Sequence, residues 1–242
     1  MPVSSPVTDS SVRSILAGID PATALDVGVG AGKYGGMLRK LHSNIRLKGI
    51  EPHLPYHKKY AVRYRAYDQG VATFDARTYL TQNEREFDLI VFGDVLEHMT
   101  WSEAIDVVHM AAYQSRWMLL VWPERRPQSG GGVELERHRS VIVPGDFGRF
   151  ETLRRSVATS ESGHLKHVLL LRGLLQSADV AACNPALGTR SCPHHELQAP
   201  RSSAEGGKKI PALQPSAAGR VGYARRCSRK GADRRGQDRR KR

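Results

Sequence analysis

The chain has 242 residues, a formal net charge of +13, an apolar fraction of 40% and three cysteines. That much apolar residue excludes wholesale disorder, three cysteines exclude a disulfide framework, and no apolar run reaches membrane-spanning length. Residues 1–20 lack the apolar stretch of a secretory signal, and together these features predict a soluble, cytoplasmic protein.

The charge is unevenly placed. Residues 1–173 carry 22 basic and 19 acidic side chains, whereas residues 174–242 carry 15 basic and 5 acidic ones. The second stretch holds all three cysteines but no Trp or Phe, and only eight Val, Ile or Leu residues. It cannot bury enough apolar area to offset chain entropy, so a folded domain of 1–173 and a disordered basic tail of 174–242 are expected.

In chain order, Asp9 or Ser10 can cap a helix whose apolar positions Val12, Ile15, Leu16 and Ile19 recur at helical spacing, closed by Pro21. Residues 24–27 read as a buried strand entering a glycine cluster, followed by a helix with Tyr34, Met37, Leu38 and Leu41 on one face. Residues 45–50 form a second strand, 55–61 a helix, and 71–74 a short third strand. The continuous apolar run 87–92 is that of a strand covered on both faces. Thr100 and Glu103 make a capping box for a helix with Ile105, Val108 and Ala112 on one stripe. Residues 117–122 are the fifth strand. The long irregular stretch 123–148 is of a length that often serves as a functional lid, and 151–172 reads as a strand pair around Ser162-Gly163. The alternation predicts an α/β three-layer sandwich with a mostly parallel central sheet and an antiparallel C-terminal strand pair.

Leu25-Asp26-Val27-Gly28-Val29-Gly30-Ala31-Gly32 ends the first strand and opens a helix. Alternate glycines let the backbone turn tightly and pass close under a ligand, and the helix N-terminus favours a negative group. A triphosphate loop is excluded twice, because Gly32-Lys33 is followed by Tyr34 and Val27 stands where the first glycine belongs. A dinucleotide fingerprint is matched formally by Gly30, Gly32 and Gly35, although late relative to the strand, so an NAD-binding module stays open.

The glycine segment resembles the first motif of the class I S-adenosylmethionine-dependent methyltransferases. In order along the chain, so do Gly49-Ile50-Glu51-Pro52, Phe74-Asp75-Ala76 and the segment from Phe87-Asp88-Leu89 through Gly93-Asp94-Val95-Leu96-Glu97-His98. The resemblance spans about residues 10–172 and implies S-adenosyl-L-methionine as cofactor. It implies Gly28, Gly30 and Gly32 under the cofactor, and Asp26 near its amino group directly or through water. It also implies Glu51 on the ribose hydroxyls, Asp75 on the adenine amino group and Asp94 beside the transferred methyl. A sulfonium is already activated, so alignment is the main demand; a hydroxyl acceptor would also need a base, for which Asp94, His98 and His138 are the candidates. Glu97 follows on the same loop, and no metal site is expected in the domain.

An Asn/Asp-Pro-Pro-Tyr/Phe motif is missing after the fourth strand, which disfavours amino methylation of DNA bases, and residues 1–173 offer no thiol for C5 methylation of cytosine. The Asp-Val-Leu-Glu-His form resembles enzymes acting on small molecules, so a metabolite or polymer-linked sugar is the expected acceptor, on O or N, in a monomer or weak dimer that needs no membrane. The alternative is an RNA- or DNA-associated methyltransferase, using Arg225-Arg226, Arg229-Lys230, Arg234-Arg235 and 239–242 for nonspecific phosphate contact. Cys183, Cys192, His194 and His195 fit no compact zinc site.

Overall fold

Strand β4 (Phe87–Gly93) explains the architecture best: Leu89 and Val91 enter one apolar cluster, while Ile90 and Phe92 enter another on the opposite side of the sheet. A strand buried on both faces needs apolar side chains at every position, hence the unbroken run. The computed structural model describes residues 4–160 and 163–175. The basic clusters, the three cysteines, His194 and His195 lie outside the described residues.

Seven strands form one sheet in the order β3-β2-β1-β4-β5-β7-β6. Strands β1 (Thr23–Val27), β2 (Arg46–Ile50), β3 (Val71–Ala72), β4 and β5 (Ser115–Pro123) are parallel; β7 (Leu165–Arg172) pairs antiparallel with both β5 and β6 (Thr152–Thr159). This is the expected mostly parallel sheet with an antiparallel C-terminal pair. Helices α1 (Asp9–Ala17) and α2 (Lys33–Leu41) contribute Val12, Leu16, Met37 and Leu38 to the cluster on one face. Helices α5 (Ala76–Gln82) and α6 (Trp101–Tyr113) cover the other with Tyr79, Leu80, Val107, Val108 and Ala111. The short α3 (Leu54–Lys59) and α4 (Ala61–Tyr64) follow β2.

Several boundaries differ from the sequence reading. The cap of α1 is Thr8, because Asp9 lies within the first turn and its carboxylate pairs with Lys33 Nζ at 2.6 Å. Strand β3 stops at Ala72, since Asp75 accepts the Thr78 N–H and starts α5, a helix too short to display a periodic apolar face. The capping box holds as read, with the Thr100 N–H donating to Glu103 at 2.8 Å. The bonded backbone runs past 173: Leu174 and Leu175 donate their N–H groups to the Ala112 and Ser115 carbonyls.

Strand order reverses between β1 and β4, and open α/β sheets hold ligands outside the carboxyl ends of strands at such a switch point. Gly93 ends β4 there, and a Cβ on it would stand 2.1 Å from the ring of Tyr34. That ring is buried and tethered by its hydroxyl, so it cannot swing away. Gly93→Ala is therefore expected to lower stability by about 1–3 kcal/mol, read as an earlier denaturation midpoint in urea; an unchanged midpoint would show that Tyr34 yields freely.

Candidate active site

Gly28, Gly30 and Gly32 all have positive φ, of 71°, 50° and 76°, a region costly for residues with a Cβ. Gly32 caps α2 in the left-handed conformation, and a Cβ on Gly28 would meet Val95 Cγ2 at 2.7 Å. The alternate glycines thus bend the chain from β1 into α2 while letting it press on the loop after β4.

Above this bend lies a cavity of about 360 Å³, within the usual range for small-molecule sites of ~300–1,000 Å³. Its floor is the carboxyl edge of the sheet: residues 27–31 after β1, 50–53 after β2 and 93–95 after β4. Gly28, Gly30, Glu51, Asp75, Asp94, His98 and His138 all line it, so the fold brings together the residues read from sequence. Asp26 and Gly32 do not line it.

Glu51 is 5% exposed, and its two oxygens accept the Gly30 and His53 N–H groups at 2.8 Å each. It couples the glycine loop to the chain leaving β2. Burial raises its pKa against the opposing effect of the two amides. Asp75 is exposed at the cavity edge; burial works against its charge, but bonds from the Thr78 amide and hydroxyl outweigh it and hold the carboxyl below its usual range.

Asp26 sits beneath the loop at 1% exposure, where Oδ2 accepts the Gly35 N–H at 3.0 Å and the Tyr67 hydroxyl at 2.5 Å. Its observed contacts are those of a brace between β1, α2 and the turn before β3. Burial pushes its pKa up to about 7 although both hydrogen bonds pull the other way.

Asp94, one of the candidate bases, has its carboxylate engaged within the fold. It adopts φ of 56°, which Asp tolerates better than most residues, and its N–H donates to the Val121 carbonyl at 2.8 Å. Its carboxylate accepts the Tyr34 hydroxyl at 2.9 Å and is gripped by Lys166 Nζ at 2.7 and 2.8 Å. Both carboxylate oxygens are therefore engaged by partners within the fold. Lys166 is itself 4% exposed. The sequence reading missed it, although two polar residues, Lys166 and His167, opening an otherwise apolar strand were a visible signal.

The roof is the loop 123–148, pinned at several points. Arg139 and Ser140 donate their N–H groups to the Glu97 carbonyl, Trp122 Nε1–H donates to the Ile142 carbonyl at 2.8 Å, and Tyr56 of α3 donates to Glu136 at 2.7 Å across the cavity. This brings His138 beside the short turn Leu96–His98, with the His98 and His138 rings 4.9 Å apart. Glu97, 2% exposed, lies 3.9 Å from His138 Nε2 through Oε1. Burial holds its pKa well above the usual range, reinforced by the Asp94 charge. Burial lowers the pKa of His138, opposed by its bond to the Arg126 carbonyl.

No family model matches the sequence, and no curated protein matches it significantly. Solved structures do match in fold. The N-methyltransferase NodS from Bradyrhizobium japonicum, bound to S-adenosyl-L-homocysteine, has a TM-score of 0.54 at 14% identity, covering 69% of this chain and 88% of its own. TehB from Haemophilus influenzae has a TM-score of 0.52 at 14% identity, covering 68% of this chain and 62% of its own, so the chain spans less than two thirds of that protein. Magnesium protoporphyrin IX methyltransferase (ChlM) from Synechocystis, bound to S-adenosyl-L-homocysteine, has a TM-score of 0.50 at 17% identity, covering 69% of this chain and 82% of its own. The chain has the class I methyltransferase fold.

Two outcomes follow from the buried carboxylates. Asp26 stays protonated in the folded protein up to about pH 7 but ionises near pH 4 when unfolded, so it makes stability fall as pH rises between those values. Asp26→Asn should remove that fall, gaining on the order of 2–4 kcal/mol relative to the native chain by pH 8 and little at pH 4. Chemical denaturation at both pH values measures it; equal effects at the two would refute the assignment. Lys166→Met should cost about 3 kcal/mol by stranding Asp94, with Asp94→Asn added in the same chain restoring much of it; strictly additive losses in the urea midpoints would argue against coupling.

Proposed function

We propose that the protein transfers a methyl group from S-adenosyl-L-methionine to an oxygen or nitrogen of a small molecule or polymer-linked sugar. The observation that carries this reading is Glu51: a nearly buried carboxylate at the end of β2, facing the cavity and bonded to the amide of Gly30 in the glycine loop. A carboxylate oxygen accepts about two hydrogen bonds, so after its single amide bond each oxygen retains capacity for a ribose hydroxyl. Gly28 and Gly30 would hold the backbone close to the bound nucleoside, and Asp75 would accept from its adenine amino group.

S-adenosyl-L-methionine supplies the activated methyl group, so the chain's own work is binding, orientation and proton handling. Asp94, fixed by Tyr34 and Lys166, sets the floor beside the reacting centre and keeps a carboxylate near the sulfonium. On the acceptor side, Met99, Arg126, Leu135, Glu136 and Arg139 line the wall with both histidines. Nδ1 of His98 lies 3.2 Å from the Arg137 carbonyl and Nδ1 of His138 lies 2.5 Å from that of Arg126. A carbonyl only accepts, so in each ring the proton sits on Nδ1 and Nε2 is the basic nitrogen. Burial favours the neutral form of His138, so it can accept a proton from a hydroxyl or an ammonium acceptor.

Calorimetry of the full chain with S-adenosyl-L-homocysteine and with NAD tests the reading. Tight binding of the first and none of the second is expected; binding of NAD alone would overturn it. Glu51→Ala should weaken S-adenosyl-L-homocysteine about 10–100-fold, and unchanged affinity would remove Glu51 from the ribose.

A further inference from the structure

Glu97, His98 and His138 have an arrangement that methyl transfer from a reactive sulfonium does not by itself require. Glu97 is 2% exposed, its Oε2 has no hydrogen-bond partner among the described residues, and its Oε1 is 3.9 Å from His138 Nε2. Burying a carboxylate with an unpaired oxygen costs several kcal/mol. The fold nevertheless spends two backbone bonds, from Arg139 and Ser140 to the Glu97 carbonyl, on holding the roof against this residue. The two carbonyls of Arg137 and Arg126 place the protons of His98 and His138 on Nδ1 and leave both Nε2 atoms bare. Carbonyl partners on the distal nitrogen are what metal-binding histidines ordinarily have, because they fix ring orientation and tautomer. One donor atom from each of the three side chains lies within 4.8 Å of the others. Ligand atoms about 2.1 Å from a common ion stand roughly 3–4.2 Å apart, so small side-chain rotations would close the set.

We propose that Glu97, His98 and His138 bind a first-row divalent cation, with its remaining coordination positions open to oxygen atoms of the methyl acceptor. The sequence reading expected no metal site, because residues 98 and 138 are joined only through the folded roof. Two imidazoles and one carboxylate suit manganese, iron, cobalt or zinc better than calcium or magnesium, which take oxygen ligands. All three side chains line the cavity, so a bound ion would be accessible to a ligand there. With the Nε2 lone pairs taken by the ion, His138 would no longer serve as base, and the ion would instead lower the pKa of a hydroxyl bound to it. The acceptor class this favours is a hydroxyl compound with a second oxygen close enough to chelate. The ion's part in handling the acceptor rests on the methyl-transfer reading; the site itself does not.

The test uses the full chain, freed of metal by a chelator, and titrates it with manganese(II) while paramagnetic resonance follows the free aquo ion. Manganese is chosen because its preference for nitrogen and oxygen ligands sets aside Cys183, Cys192 and Cys227. One ion per chain is expected. Affinity should fall at least about tenfold in both His138→Ala and the near-isosteric Glu97→Gln, and stay unchanged in His194→Ala. Circular dichroism and S-adenosyl-L-homocysteine binding report that each variant has folded. If His138→Ala fails to fold, Glu97→Gln carries the comparison. No binding at millimolar manganese(II) and cobalt(II), or equal binding by native chain and Glu97→Gln, would overturn the proposal. S-adenosyl-L-homocysteine binding with no metal binding would sink the metal site alone, whereas metal binding without S-adenosyl-L-homocysteine binding would sink the methyl-transfer reading alone.

Discussion

Lys166 on β7 and the Asp94 carboxylate just beyond β4 meet at the carboxyl edge of the sheet, with β5 running between their strands and the Tyr34 hydroxyl of α2 completing the cluster. This contact ties the antiparallel half of the sheet to the parallel half beside the cavity, which both residues line. An ammonium 5% exposed and a carboxylate 15% exposed offset each other's desolvation only while both are present. Tyr34 can reach Asp94 because Gly93 has no Cβ. Asp94 in turn holds the turn that carries Glu97 and His98, so the geometry of the cavity wall depends on a strand that arrives more than sixty residues later.

A second group of carboxylates works differently. Asp26 and Glu51 are buried against backbone amides, with Tyr67 added for Asp26, and neither forms an ion pair among the described residues. Both have pKa values raised by burial. They brace a glycine loop whose left-handed residues provide little rigidity of their own. The cavity floor is therefore defined by hydrogen bonds between strand-end carboxylates and loop amides, and its roof by Trp122, Tyr56 and the Glu97 carbonyl gripping 123–148.

Much of the fold was legible because its signals are local. The apolar run of β4, the capping box at Thr100 and the glycine spacing after β1 depend on neighbouring residues and survived intact. The ends of α1 and β3 were misplaced where a side chain had two uses: Asp9 could cap or pair with Lys33, and Asp75 could end a strand or start a helix. In the site, Glu51 and Asp75 were expected from the resemblance to the class I motifs, and both line the cavity. The ion pair that holds Asp94 could not be read, because its partner Lys166 lies on a strand far along the chain.

The sequence by itself determined the alternation of strands and helices and the glycine bend, since each rests on periodicity or spacing over a few residues; the carboxylates around the bend were read only through the resemblance to the class I motifs. Tertiary structure alone decided which of those carboxylates face the cavity and which brace it, that Asp94 is held in an ion pair, and that His138 stands beside Glu97 and His98. These are long-range contacts, and burial and ionisation are properties of what the folded chain places around a group.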